Sequence, residues 1–245
     1  GDQCVETRST SSSAERLRVG MQDIRAHFLT PDILPEITEM YPKVKFQWQT
    51  GNYSPMKQQL LENQLDLVFC NCNKKEREFE YIPLVSDEVV FITPRNHPLT
   101  KYARFQDNQS FPWIDLSLFS GERFILPSEE QSLRRYSNQI LKGCSVQPKE
   151  ILTLRKIFII IGLVNNGYGV GFSLVGYINW SRNIDNVSIF SVIDPAVTAT
   201  FYAIYKKGRR LSPAASSLIN MVKEKVNQQV SDIRKDSYVH PQSSI

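Results

Sequence analysis

The sequence lacks any apolar run near the roughly 18 residues that a membrane-crossing helix needs. Its most apolar stretch, Ile157 to Val164, stops at Asn165-Asn166, so a buried helix is expected and no membrane partner. The first residues, Gly1-Asp2-Gln3-Cys4-Val5-Glu6, have neither the basic nor the apolar region of a secretion signal, which points to the cytoplasm. Cysteine is scarce, with four residues at positions 4, 70, 72 and 144. Cys70-Asn71-Cys72 has no second Cys/His pair at zinc-like spacing, so small residues at a strand end are expected there, with reduced thiols and no metal. Histidine is scarcer still: His27, His97 and His240 belong to no nucleophile or metal motif. With G-x-S-x-G, H-E-x-x-H and P-loop patterns also missing, neither enzyme activity nor a cofactor is expected. Gly167-Tyr168-Gly169-Val170-Gly171 follows a helix, whereas a dinucleotide fingerprint follows a strand.

Charge of one sign is not abundant either. The formal net charge is +4 over 245 residues. The densest basic cluster, Lys206-Lys207-Gly208-Arg209-Arg210, has no interleaved aromatics for base stacking and reads as a solvated turn.

What is present is an alternation of strand and helix periods, the mark of an α/β fold. Leu17 to Met21 reads as a strand. Ile33, Leu34, Ile37, Met40 and Tyr41 recur at helical spacing, with Pro35 predicting a kink or a helix start nearby and Tyr41-Pro42 an end. Val44, Phe46 and Trp48 alternate with polar residues as a half-buried strand. Ser54-Pro55 reads as an N-cap and first helical residue, and Leu65 to Cys70 as a buried strand.

Glu88 to Thr93 is a further strand, leading into Pro94-Arg95-Asn96-His97-Pro98-Leu99, read as a crossing between lobes. Beyond it the pattern repeats: a strand at Arg123 to Leu126, a helix capped by Gly143, a strand near Ile151-Leu152, then an apolar helix from about Leu154 to Asn166 closed by Gly167. Ile157 to Ile161 are consecutively apolar, which predicts burial on every side, by the lobe itself or by a second copy. Strands at Val187 to Val192 and Ala199 to Tyr205 precede a helix opening at Ser212-Pro213. The expected organisation is a disordered arm or expression remnant over 1–14, a first lobe over 15–93 plus 199–230, a second over 94–198, and a loose tail over 231–245.

Six of these segments, in order, resemble the effector-binding domain of LysR-type transcription regulators. They are Leu17-Arg18-Val19-Gly20, Ile33-Leu34-Pro35 with Tyr41-Pro42, Leu60 to Leu67, His97-Pro98-Leu99, Leu163 to Val170, and Leu211-Ser212-Pro213. Two local departures stand out: Phe172-Ser173-Leu174-Val175 where the family usually reaches a proline, and Asn63-Gln64 where it commonly has glycine. The resemblance implies a type 2 periplasmic-binding-protein-like fold, two Rossmann-like lobes with a hinge. It implies a small-molecule effector held between the lobes and assembly into a homodimer or tetramer. DNA would then be read only through an N-terminal segment absent from this chain, which begins at Gly. A transport-type solute-binding protein is the alternative, separable by its monomeric state.

Ligands of such folds lie at the carboxyl ends of strands, facing helix N-termini. Polar residues just after the expected strands are therefore the candidates: Gln22, Asp23, Thr50, Asn52 and Tyr53 in the first lobe, and Ser128, Glu129, Phe172 and Ser173 in the second. Asp23 and Glu129 would repel a carboxylate unless they face away, so polar, amine-bearing or neutral ligands weigh equally.

Overall fold

The computed structural model describes residues 15–107, 109–181 and 184–236, with only the backbone of 232–236. Cys4, His240, the arm over 1–14 and the tail from 237 lie outside the described residues.

In the first lobe, strands β1 (Arg16–Gln22), β2 (Lys45–Gly51) and β3 (Leu67–Asn71) run parallel, joined by helices α1 (Asp23–Met40) and α2 (Tyr53–Leu61). Strand β4 (Phe79–Pro94) and strand β9 (Thr198–Lys206) close the sheet antiparallel in the order β2-β1-β3-β9-β4. Strand alternation sorts the core into two layers. Leu67 and Phe69 pack with Leu29 and Ile33 of α1 and with Leu218 and Val222 of helix α6 (Pro213–Asp236). Val68 and Cys70 point the other way, onto Met56 and Leu60 of α2.

The second lobe uses the far half of β4. Val89–Ile92 pairs with β7 (Val170–Leu174) and Phe91–Pro94 with β8 (Val187–Phe190). The sheet continues through β5 (Arg123–Pro127) to β6 (Glu150–Leu154), with helices α3 (Ser132–Gly143), α4 (Ile157–Asn165) and α5 (Val175–Trp180) against it. A separate core of buried residues, including Phe91, Phe124, Ile160 and Phe172, fills this lobe.

Several local expectations are corrected. The crossing lies inside β4, where Glu88 still pairs with β9 and Val89 already pairs with β7, five residues before Pro94. Beyond Pro94 the chain instead turns at Arg95-Asn96 and enters a 3-10 helix over Pro98–Tyr102, which His97 caps, its Nδ1 accepting from Leu99 N–H at 3.3 Å. Helix α1 starts at Asp23 and carries Pro31 and Pro35 inside it. Its buried face of Arg25, Ala26, Leu29, Ile33 and Ile37 offsets the two backbone bonds the prolines remove.

Helix α2 starts one residue before Ser54, with Asn52 as N-cap and no side-chain capping bond. Helix α4 starts at Ile157 because Leu154 belongs to β6. It buries one face only: Ile160 and Ile161 are fully buried while Ile159 is 54% exposed. Gly143 is the last residue of α3, where a Cβ would meet Ile193 Cδ1 at 2.6 Å, and Ser145 takes the positive φ of 54°. Helix α6 continues past Ser231 to Asp236.

The departure at Asn63 has a geometric reason. Its φ is 57°, a conformation asparagine tolerates in place of glycine, and its side-chain oxygen accepts from Lys206 and Arg209. Lys206 and Arg209 are thus tied to first-lobe groups within the basic turn. Among the described residues no helix is long and apolar enough to cross a membrane.

Candidate functional site

The carboxyl ends of β1, β2 and β3 face the starts of α3 and α4 across a cleft of about 400 Å³ between the lobes. That volume suits a small ligand. Four helices begin on its walls: the N-cap residues Gln22, Asn52, Gln131 and Lys156, of α1 to α4, all line it. None of these caps is satisfied by its own side chain.

On the first-lobe wall, Gln22 Oε1 accepts from the Asn71 N–H at 3.1 Å, tying β1 to β3. The Asn71 side chain lines the cleft beside this contact, 1% exposed, and neither amide atom has a hydrogen-bond partner. Tyr53 shares a 3.3 Å hydroxyl contact with Tyr81, which accepts in turn from Glu76 N–H. Burial, followed by the Tyr81 contact, pushes the Tyr53 hydroxyl up. Lys57 and Glu76 pair at 2.6 Å. Cys70 and Cys72 are buried and free, and burial pushes the Cys70 thiol up, with Cys72 adding to the shift. Among the described residues no cluster of three His, Cys, Asp or Glu could hold a metal.

On the second-lobe wall, Gln131 Nε2 donates to the Arg155 carbonyl at 2.6 Å and Arg155 pairs with Glu130 at 3.2 Å. Glu130's own backbone N–H holds its carboxyl below the usual range, against a smaller desolvation effect. Arg135 on α3 is exposed and lines the cleft.

Of the sequence candidates, Gln22, Asp23, Asn52 and Tyr53 come together here. Thr50 lies instead in a shallower depression of about 1080 Å³, bordered by Thr30, Leu34 and Phe158. Ser128 and Glu129 are not part of the lining: Ser128 N–H donates to the Leu154 carbonyl, and the exposed Glu129 pairs with Arg134 at 2.6 Å. Phe172 and Ser173 are fully buried in β7. Of the glycines before them, Gly167 does turn the chain after α4, at a φ of 77°, whereas a Cβ on Gly169 or Gly171 would sit 2.6 or 2.7 Å from a β5 carbonyl oxygen, so these two serve close strand contact. The cleft is also lined by Asn71, Ser132 and Arg135, which lie outside that set of candidates. Asn71 ends a strand and satisfies the rule used for the others, whereas Ser132 lies four residues beyond Ser128.

The lobes also meet outside the cleft. Arg25 of α1, fully buried, reaches Asp87 of β4 at 3.3 Å, and Asp87 accepts from the N–H of Gly176 at the start of α5. Beside this contact, Phe28 stacks on Trp180 with centroids 4.5 Å apart, and meets Phe158 edge-on.

Comparison with known proteins agrees with this architecture. The effector-binding domain of QuiR, solved with shikimate, superposes with a TM-score of 0.66 at 21% identity, covering 88% of this chain and 99% of that one. The regulatory domain of CcmR from Synechocystis PCC6803, solved with 2-PG, gives 0.68 at 18% identity, covering 86% and 97%. The HTH-type transcriptional regulator YybE of Bacillus subtilis is 26% identical over 191 residues, 77% of this chain and 61% of that protein. The chain thus spans less than two thirds of that regulator's length. A family model described as the LysR substrate binding domain matches residues 10–227, which disfavours the transport alternative. On that match, the chain belongs to the LysR substrate-binding-domain family.

Proposed function

We propose that this chain is the ligand-sensing part of a longer transcription regulator, in which a small effector in the interlobe cleft controls DNA binding by a segment outside the chain. The observation that carries the reading is the cleft itself, which four helix starts without side-chain caps and a buried, unpartnered Asn71 line together. Gln22, Asp23, Asn52, Tyr53 and Asn71 form the first-lobe half of the effector site, and Ser132 and Arg135 belong to the second-lobe half. QuiR with shikimate and CcmR with 2-PG are precedents for small ligands on this fold.

The division into lobes follows the strand pairing, with residues up to Glu88 and again from Thr198 in the first lobe. An effector acts by favouring one lobe arrangement over another, since equal affinity for both shifts nothing. The protein acts in the cytoplasm without catalysis, and assembles as a homodimer or tetramer. Exposed Met40 and Ile159, 53% and 54% accessible, support self-association.

A thermal-shift screen over amino acids, organic acids, aromatic acids, sugars and nucleosides tests the sensing role. A ligand at one hundred times its Kd adds about 2.7 kcal/mol, or roughly 5–10 °C for a chain of this size. No hit from any class would refute it.

A further inference from the structure

We infer that the cleft takes a small hydroxylated oxyanion, a carboxylate or a phosphate whose hydroxyl group is read by Asn71. The inference rests on the sensing role proposed above and adds the chemistry of the ligand. The lining carries five cations, Lys57, Lys74, Arg135, Arg155 and Lys156, against three acids, Asp23, Glu76 and Glu130. Two of the acids are already engaged, Glu76 by Lys57 at 2.6 Å and Glu130 by Arg155 at 3.2 Å. Lys74, Arg135 and Lys156 then stand against Asp23.

The backbone adds to this imbalance. Each helix start leaves N–H donors without intrahelical partners and bears the positive end of the helix dipole. Helices of 18, 9, 12 and 9 residues present such starts to one cleft, and no side chain caps them. An anion satisfies donors and cations together, whereas an amine meets a surplus of like charge.

Charge alone leaves Asn71 unexplained. Its buried amide offers one acceptor and one donor face, both unpartnered. A carboxylate or phosphate oxygen satisfies only the donor. A hydroxyl both donates and accepts, so it matches both faces.

Calorimetric titration of the 245-residue chain tests both parts. Malate and succinate form the carboxylate arm, glycerol 3-phosphate and propyl phosphate the phosphate arm, and glycerol and putrescine the neutral and cationic controls. The hydroxylated member of at least one arm binds, and its hydroxyl-free partner binds about tenfold more weakly to the wild type. In Asn71→Ala that difference disappears, because the group that reads the hydroxyl is gone. Arg135→Gln, at an exposed position, weakens every binding anion by about tenfold to hundredfold and flattens the salt dependence. Asn71→Asp keeps the shape, so it serves if the alanine variant fails to fold, and it weakens anion binding.

Glycerol or putrescine binding better than the anions would overturn the ligand class while leaving the sensing role intact. Anion binding indifferent to Arg135→Gln and to both Asn71 variants would mean an adventitious ion only. Silence from all four anions at millimolar concentration overturns the assignment, and the broader screen then decides whether the sensing role falls with it.

Discussion

Replacing Arg25 by methionine should cost the protein about 3–5 kcal/mol, the usual result of removing one partner from a buried ion pair. Arg25 and Asp87 are both fully buried and 3.3 Å apart, so neither charge can turn to water. The guanidinium lies 4.7, 5.1 and 5.5 Å from the ring centroids of Phe201, Tyr177 and Trp180. Its Nε and Nη1 have no hydrogen-bond partner, so these ring faces and Asp87 together hold the charge. Arg25 and Phe201 belong to the first lobe and Tyr177 and Trp180 to the second, while Asp87 sits two residues before Val89, where β4 changes lobes. The cluster is therefore a fixed point at the hinge.

Without Arg25, the Asp87 carboxylate keeps the Gly176 N–H but loses its buried counter-charge. At about 2–4 °C per kcal/mol for a chain of this length, the melting temperature should fall by about 6–20 °C. Arg25→Lys should not rescue it, because an ammonium lacks the flat face that covers the three rings. Asp87→Asn should cost a similar amount by stranding Arg25. The double variant should cost clearly less than the sum, since removing both charges removes the uncompensated one. Urea unfolding followed by circular dichroism measures the wild type and all four variants. Single-variant losses below about 1 kcal/mol, or strictly additive losses, would refute the hinge-pair account.

Helix α4 offers a sharper contrast: Ile160→Ala should cost about 2–5 kcal/mol and Ile159→Ala less than about 0.5 by the same measurement. Equal losses would contradict burial of a single face. Gly171→Ala should destabilise strongly, because its Cβ would lie 2.7 Å from the Ile125 carbonyl oxygen and a backbone atom cannot swing aside. A melting temperature like that of the wild type would show that β5 and β7 are not so closely spaced. Burial alone would raise the Asp66 carboxyl, but hydrogen bonds from Arg18, with Arg209 behind them, outweigh it and hold it below its ordinary value. A depressed carboxylate contributes stability above its unfolded value, about 3.9, and loses it as pH falls through the folded value. Asp66→Asn should therefore be less stable than the wild type at pH 7, with the gap narrowing on acidification below about pH 4. A gap independent of pH would exclude the linkage.

How far the sequence is legible depends on what each feature answers to. Strand and helix types follow from periods of two and 3.6, which depend on near neighbours, so the α/β alternation can be read directly. Boundaries depend on tertiary context. Pro35 suggests a helix start, yet α1 runs back to Asp23 because its inner face, including the buried Arg25, is held by the first-lobe core and the Asp87 contact. The crossing within β4 is equally hidden, since Glu88 and Val89 differ only in which strand answers them.

The site divides along the same line. The rule that ligands sit beyond strand ends leads to the cleft-lining Gln22, Asn52 and Tyr53, and applied to β3 it leads to Asn71 on the same lining. At Phe172-Ser173 it leads to residues inside β7, because Gly167 turns the chain while Gly169 and Gly171 serve close strand contact, two roles a sequence cannot tell apart. The charge of the cleft is hidden most deeply. Glu129 and Glu130 are adjacent acids with similar sequence surroundings, yet Glu129 turns to Arg134, outside the cleft lining, and Glu130 to Arg155 within it. Each pairing cancels an acid that would otherwise argue against an anionic ligand. The charge left on and around the cleft therefore depends on contacts 5 to 25 residues apart in the chain, and folding decides it.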